Sequence, residues 1–128
     1  MATTFEIKAL SQQKDYSAPD GSEIRLLAEM NAGGLSHCTL PAGKISAAVK
    51  HKTVNEIWWC ISGKGEIWQG YGPINETKPF QTEESFTIPV GNTFQFKNTG
   101  EEPLCILIAT IPKWPDPNEA MLVTGHWK

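Results

Sequence analysis

The sequence contains no long apolar run and no cluster of Lys or Arg. A membrane-spanning helix needs about 20 consecutive apolar residues, and nucleic acids or anionic membranes attract clustered basic residues. We therefore expect no membrane partner and no nucleic-acid partner. The N-terminal segment also lacks the basic start and the apolar stretch of a secretory signal, which favours a cytoplasmic protein.

Cysteine is scarce. Cys38, Cys60 and Cys105 are an odd number, no two of them have the spacing of a CxxC motif, and each lies in an apolar run. In that setting cysteine behaves as a small hydrophobic side chain. We therefore expect reduced thiols.

Turn signals alternate with short β-forming segments along the whole chain. Its 128 residues, 40% hydrophobic and 20% charged, suit one globular domain with its own core. Gly, Pro and Asn cluster roughly every eight to twelve residues, which is typical of short antiparallel strands. The pattern predicts an all-β sandwich or barrel forming a single domain over residues 1–128. The segments between the turns are EIRLLAEM, GLSHCTL, NEIWWCIS, SFTIP, TFQFK and LCILIATIP.

A local repetition favours one hairpin. The tripeptide Glu-Ile-Trp occurs at 56–58 and again at 66–68, and the two copies are joined through the Gly-containing segment 62–65. A turn centred there would pair the two strands antiparallel and place Trp58 opposite Gly70. We therefore predict that both indoles lie on one face with the Glu56 side chain.

Two spaced motifs cover much of the chain. The first occupies residues 43–63 and is marked by Gly43, Val49, His51, Glu56 and Gly63. The second occupies residues 83–98 and is marked by Glu83, Pro89, Gly91, Phe94 and Asn98. In order and spacing they resemble the two motifs of the cupin superfamily, with Val49 and Phe94 in histidine positions and Glu83 in a glycine position. The resemblance implies a small antiparallel double-sheet β-barrel of the cupin or jelly-roll type, followed by a C-terminal tail over residues 112–128.

The resemblance also implies a degenerate metal site. Cupins place two His and a Glu from the first motif, and a His from the second, on one divalent ion. The corresponding residues here are Val49, His51, Glu56 and Phe94, so that a metal, if any, would have His51 and Glu56 as ligands. Two protein ligands leave most of the coordination shell to water. We expect no tight cofactor and at most a weakly bound divalent metal ion.

Two further residues are candidates for a missing ligand. Gln95 points away from Phe94 by strand alternation, so that only a bulge would bring it inside the barrel. For His37, the pattern of its strand leaves the inward face undecided.

His51 and Glu56 are the candidate catalytic residues. A carboxylate beside an imidazole in an apolar barrel raises the pKa of the imidazole and orients it for proton transfer. We favour an enzyme of the isomerase, lyase or cyclase type, with Glu56 as base and His51 as its partner or acid. A retained structural hydrogen bond between the two residues is the alternative.

Aromatic and neighbouring side chains are the candidate wall of a ligand pocket. We predict that the residues that bind a small-molecule ligand are Val49, Trp58, Trp68, Phe94 and Gln95. Binding pockets favour aromatic walls with few polar groups, although small barrels are often filled by such side chains. A non-catalytic binding or sensing barrel and a metal-dependent dioxygenase-like or hydrolase-like cupin remain alternative functions.

Trp59, between Ile57 and Ile61, lies on the opposite face of its predicted strand. An exposed Trp there would indicate a subunit interface, since barrels resembling this one commonly dimerise through their sheets. We therefore expect a homodimer. If that face packs under the N-terminal strands instead, it is not an interface.

Overall fold

The computed structural model describes residues 5–128, and over these residues it is all-β, as predicted. No helix in this part of the chain is long and apolar enough to cross a membrane. The strands are β1 (Tyr16–Ser17), β2 (Glu23–Met30), β3 (Gly33–Leu40), β4 (Val49–His51), β5 (Asn55–Ser62), β6 (Lys64–Tyr71), β7 (Ile74–Gln81), β8 (Ser85–Ile88), β9 (Thr93–Asn98), β10 (Leu104–Ile111) and β11 (Ala120–Leu122).

The strands form two antiparallel sheets, which confirms the predicted jelly-roll class. The first sheet has the order β1-β2-β3-β10-β5-β8, and the second has the order β11-β4-β9-β6-β7. Alternation of apolar and polar residues gives each sheet one inward face. In β10, for example, Leu104, Ile106 and Ile108 are buried, while the residues between them are half-buried. The core lies between the inward faces.

The predicted hairpin between β5 and β6 is wrong. β5 pairs with β10 and β8 in the first sheet, whereas β6 pairs with β9 and β7 in the second. Trp58 therefore lies opposite Ile108 and Phe86, not opposite Gly70. Gly63 makes the crossing between the sheets at a φ of 93°, where a side chain is disfavoured, and a Cβ there would lie 3.0 Å from the carbonyl oxygen of Pro103.

The two motifs meet in space through β4 and β9. Val49 is the register partner of Phe94, so that the two apolar replacements of histidine are neighbours inside the barrel. Glu83, which stands where the second motif has glycine, adopts a φ of 71°. This left-handed conformation is uncommon for residues other than glycine. The backbone of the motif is therefore kept although its glycine is not.

The C-terminal segment crosses one end of the barrel and returns as β11 along β4. Its main anchor is the buried carboxylate of Glu119. This group accepts hydrogen bonds from the Thr53 amide at 2.6 Å, the Thr53 hydroxyl at 2.7 Å and the Val54 amide at 2.9 Å. Three donors to one carboxylate form a strong anchor, which ties the segment to the turn between β4 and β5.

A second anchor holds the end of the chain against the outer face of β9. The Gln95 amide donates to the carbonyls of Ser46 at 2.8 Å and Trp127 at 3.1 Å. Its oxygen accepts from the amides of His126 and Trp127, each at 2.9 Å. The His126 ring also stacks on Trp68, with centroids 5.6 Å apart. Gln95 and Trp68 therefore hold the tail.

We expect Gln95→Leu to lower the free energy of unfolding by about 2 kcal/mol, because the substitution leaves buried backbone groups without partners. Urea unfolding followed by tryptophan fluorescence measures the change. Gln81→Leu is the matched control, since Gln81 is exposed and its side chain forms no hydrogen bond with residues 5–128. Equal stability of the two variants would contradict the proposed role of Gln95 in anchoring the tail.

Candidate functional site

His51 enters the barrel from β4. Val49 and His51 are buried on the inward face of this strand, while Lys50 between them points outward. The imidazole lies edge-on to two aromatic rings, that of Phe94 at a centroid distance of 5.1 Å and that of Trp114 at 5.0 Å. Its position and tilt are therefore set by β9 on one side and by the C-terminal segment on the other.

Glu56 enters from β5 and is as deeply buried as His51. Its register partners are Thr110 and Ile88, so that its carboxyl group lies inside the barrel. The indole nitrogen of Trp58 donates a hydrogen bond to Glu56 Oε1 at 2.8 Å. This bond orients the carboxyl group and leaves Oε2 directed to the rest of the site.

The structure brings His51 and Glu56 together. The Nδ1 atom of His51 lies 3.9 Å from Glu56 Oε2, which is too long for a hydrogen bond. This Nδ1 atom is buried and has no hydrogen-bond partner among the described residues. The pair is thus in contact but is not tied together as a fixed structural hydrogen bond.

Burial holds both groups in their uncharged forms. It raises the pKa of Glu56 to about 8, against the lowering effect of the Trp58 hydrogen bond and with a smaller contribution from the Asp20 and Glu119 carboxylates. Burial lowers the pKa of His51 to about 4, although the nearby Glu119 raises it. The expected raising of the His51 pKa by a Glu56 carboxylate is therefore wrong in direction.

The two uncharged groups have complementary chemistry at neutral pH. A protonated carboxyl group is a proton donor, and a neutral imidazole is a proton acceptor. In these forms Glu56 can donate a proton and His51 can accept one, whereas the sequence predicts Glu56 as the base and His51 as its partner or acid.

A cavity of about 500 Å³ opens beside this pair. Val49, His51 and Glu56 belong to its wall, and most of the remaining wall is apolar. The side chains that enclose it come from β1, β2, β3, β10 and the C-terminal segment, and they include Tyr16, Ala18, Ile24, Leu26, Ser36, Ile108, Thr110, Trp114, Pro117 and Ala120. The volume suits a small organic ligand.

Four of the five predicted ligand-binding residues do not line this cavity. Trp58 and Phe94 fill the barrel behind it, and Trp68 and Gln95 lie on the outer face of the second sheet under the C-terminal tail. Only Val49 is on the wall. Strand parity explains the outer pair, because Trp68 and Gln95 are register partners and share the face opposite to Phe94.

Tyr16 and Trp114 lie outside the two motifs, and no sequence pattern assigned either of them to the ligand-binding wall. Both rings line the cavity, although they are almost a hundred residues apart in the chain. The position of Trp114 between two prolines is the sequence feature that could have indicated a place at the cavity, since an aromatic residue in a rigid segment can be held at a barrel mouth.

A larger groove of about 900 Å³ lies between strands β7 and β8, at the edges of the two sheets. Its wall contains neither His51 nor Glu56. We place the candidate site in the smaller cavity, because its wall contains the two buried groups that can exchange protons.

Comparison with known proteins identifies the family. Residues 36–110 match the model of the cupin domain, which is more than half of the chain. The chain belongs to the cupin family. Both motifs of this cupin lie within the matched range, and so do His51 and Glu56.

The similar proteins share the fold. The uncharacterized protein MJ1618 of Methanocaldococcus jannaschii is 28% identical over 106 residues, covering 79% of this chain and 82% of that protein. KdgF from Halomonas sp. is 12% identical with a TM-score of 0.68, over 80% of this cupin and 90% of that chain. Oxalate decarboxylase from Bacillus subtilis, which has Mn(II) centers, is 17% identical with a TM-score of 0.73. This cupin covers 30% of that chain, with 88% of its own length aligned.

The residues of this cupin do not fit a resident metal ion. Over residues 5–128 no group of three His, Cys, Asp or Glu side chains is placed to hold one. Phe94 packs against His51 where a second-motif ligand would be. His37 pairs with Arg25 and Leu107 on the face of β3 opposite to the buried Cys38, so that it cannot supply a missing ligand. No metal-dependent step is therefore assigned to this site.

We expect the buried Glu56 to make the folded protein less stable as the pH rises from 6.5 to 8. Its pKa is about 8 when folded against an ordinary 4.5, so in this range only the folded chain retains the proton. His51, with a pKa of about 4 when folded against an ordinary 6.5, has the opposite effect, which fades as the pH rises above 6.5. The free energy of unfolding should fall by at most about 1.4 kcal/mol per pH unit, and by less near the two ends of this range.

Urea unfolding of the wild type and Glu56→Gln across this range measures the effect. The amide mimics the protonated carboxyl group, so that the variant should lose the slope and gain stability relative to the wild type at pH 8. Exposed Glu101 provides the control, and Glu101→Gln should keep the wild-type slope. Parallel curves for the wild type and Glu56→Gln would show that Glu56 is already ionised at pH 6.5.

Proposed function

We propose that this cupin binds a small organic molecule in the 500 Å³ cavity and catalyses a proton transfer on it. The observation that carries the proposal is the pairing of a neutral imidazole and a protonated carboxyl group in the wall of an apolar cavity. Burying two titratable groups in this way costs stability. Such perturbed groups beside a cavity are typical of catalytic sites.

The mechanism uses each group in the form that burial favours. His51 accepts a proton from the substrate, and Glu56 donates its proton to another atom of the same substrate. These two transfers isomerise the substrate and leave a Glu56 carboxylate beside a His51 imidazolium. The neutral pair is restored when the imidazolium returns a proton to the carboxylate. The contact of 3.9 Å between Nδ1 and Oε2 needs to shorten by about 1 Å for this return. Elimination and cyclisation use the same two transfers.

A non-catalytic binding barrel is the second candidate. The deep burial of both groups favours it, since only a small part of each is open to the cavity. In that case Glu56 donates a hydrogen bond to a polar end of the ligand, and His51 only supports the wall. A metal-dependent cupin reaction is the third candidate, and the two-residue ligand set argues against it.

Hydrogen–deuterium exchange tests catalysis directly. In D2O, the wild type should accelerate exchange at the carbon beside the carbonyl of a ketone such as acetophenone or 2-amino-1-phenylethanone, followed by proton NMR. We expect His51→Gln and Glu56→Gln each to reduce the rate by about 100-fold. His37→Gln should keep the wild-type rate, because His37 lies outside the cavity.

The outcomes separate the three candidates. Exchange no faster than in buffer would favour the binding barrel. A rate that disappears with a chelator and returns with added Mn²⁺ would favour the metal-dependent reaction.

We also propose that two copies of the chain associate through the outer face of the first sheet. Ile57, Trp59 and Ile61 of β5 are each about two-fifths exposed there, and Leu35 of β3 is exposed on the same face. An apolar face of this kind is complementary to a second copy of itself, because a twofold axis places like residues together. Trp59, in the middle of the face, would be its centre.

We expect the wild type to be a dimer by light scattering after size-exclusion chromatography, and Trp59→Lys to be a monomer, because a buried unpaired charge is costly. Ile74→Lys is the matched control. Ile74 is equally exposed but lies on β7, at the edge of the other sheet, so that this variant should stay dimeric. A monomeric wild type, or a dimeric Trp59→Lys variant, would rule out this interface.

A further inference from the structure

The ionisable side chains around the cavity, apart from His51 and Tyr16, are all carboxylic acids. Four of the lining residues carry carboxyl groups, and none of the described residues in the lining is Lys or Arg. The acidic residues are Asp20, Glu29, Glu56 and Asp116. They come from the β1–β2 turn, β2, β5 and the C-terminal segment, so that they surround the cavity on several sides.

The basic side chains near this end of the barrel are engaged elsewhere. Arg25 donates to the carbonyls of Ser11 and Gln12, each at 2.9 Å, and lies 3.9 Å from Glu23. The exposed Lys14 donates to the hydroxyl of Ser17 at the rim. Neither Arg25 nor Lys14 is among the residues that line the cavity, although Lys14 reaches the lining residue Ser17.

The remaining polar and aromatic groups of the wall would also accept a cation. Tyr16 and Trp114 supply aromatic rings, whose faces attract organic cations. His51 is buried, lines the cavity and has an unpartnered Nδ1 atom, so that it adds a lone pair and no positive charge. Carboxyl groups, aromatic rings and a neutral imidazole all favour positive charge.

We propose that the cavity takes an organic ammonium ion with an apolar body and rejects carboxylates and phosphates. The ammonium group is stabilised by the carboxylates of Asp116 and Glu29 at the rim, and the apolar body fills the space against Ile24 and Ile108. An anion would lose its water beside these carboxylates and gain no partner, which is strongly unfavourable. The inference rests on the proposed small-molecule site and defines its ligand class.

Three matched probes test the charge preference without requiring any reaction. They are 2-phenylethylammonium, 2-phenylethanol and 3-phenylpropanoate, which share a ring and differ in charge. Binding to the full chain at pH 7 is followed by NMR shifts and by calorimetry. We expect the ammonium ion to bind at least about tenfold more tightly than the carboxylate, and also more tightly than the alcohol. Its affinity should fall as salt is added.

Two rim variants locate the effect. Asp116→Asn and Glu29→Gln should each lower the affinity for the ammonium ion by a few fold and leave the affinity for the alcohol unchanged. Asn can still accept the hydrogen bond that Asp116 receives from the amide of Asn118, so that the segment should keep its fold. Glu84→Gln, in the wall of the other groove, should change none of the three affinities.

The result is independent of the exchange assay. Charge-selective binding without hydrogen–deuterium exchange would support this inference and contradict the proposed catalysis. Exchange on neutral ketones with no preference for the ammonium probe would support the catalysis and contradict this inference. Tighter binding of the carboxylate, equal binding of alcohol and ammonium ion, or no saturable binding by any probe up to its solubility would overturn the inference.

Discussion

The hydrogen bond from the Trp58 indole to Glu56 is the interaction on which the site depends. A carboxyl group between two apolar sheets is unfavourable unless its polar atoms find partners. Trp58 supplies one partner and also packs edge-on against Phe94 and Phe96, with centroids 5.8 and 4.9 Å away. The same side chain therefore fills one half of the barrel and positions the acid that faces the other half.

This arrangement explains why the cavity beside the pair lies at one end of the barrel. The aromatic side chains of β5 and β9 occupy the half behind Glu56, whereas smaller side chains such as Val49 and Ala120 line the half in front of it. Replacing two histidines by Val49 and Phe94 removes polar ligands and lowers the polarity around the remaining pair. The pair then loses its charge, because the Trp58 hydrogen bond and the Glu119 carboxylate compensate only in part for burial. An apolar replacement of metal ligands thus produces an uncharged acid and base at the same place.

The sequence was sufficient for the fold and for the His51 and Glu56 pair, because both depend on local strand alternation and motif spacing. Prediction from the sequence failed where strand pairing depends on which of the two sheets a strand joins. The turn at Gly63 has the composition of a hairpin, yet β5 and β6 belong to different sheets, and no local signal records that difference. The predicted direction of the His51 pKa failed for a related reason, since the depth of burial of His51 is set by Phe94 and Trp114, which are distant in sequence.

The choice of ligand depends on parts of the chain outside the family match. Residues 36–110 contain Val49, His51 and Glu56, and thus the chemistry of the site. Tyr16, Asp20, Trp114 and Asp116, which shape and charge the cavity, lie before or after that range. They are held there by β1 at one end and by the Glu119 anchor at the other. In this cupin the range that matches the family thus contains the buried His51 and Glu56 pair, whereas most of the other residues that line the cavity come from the two ends of the chain.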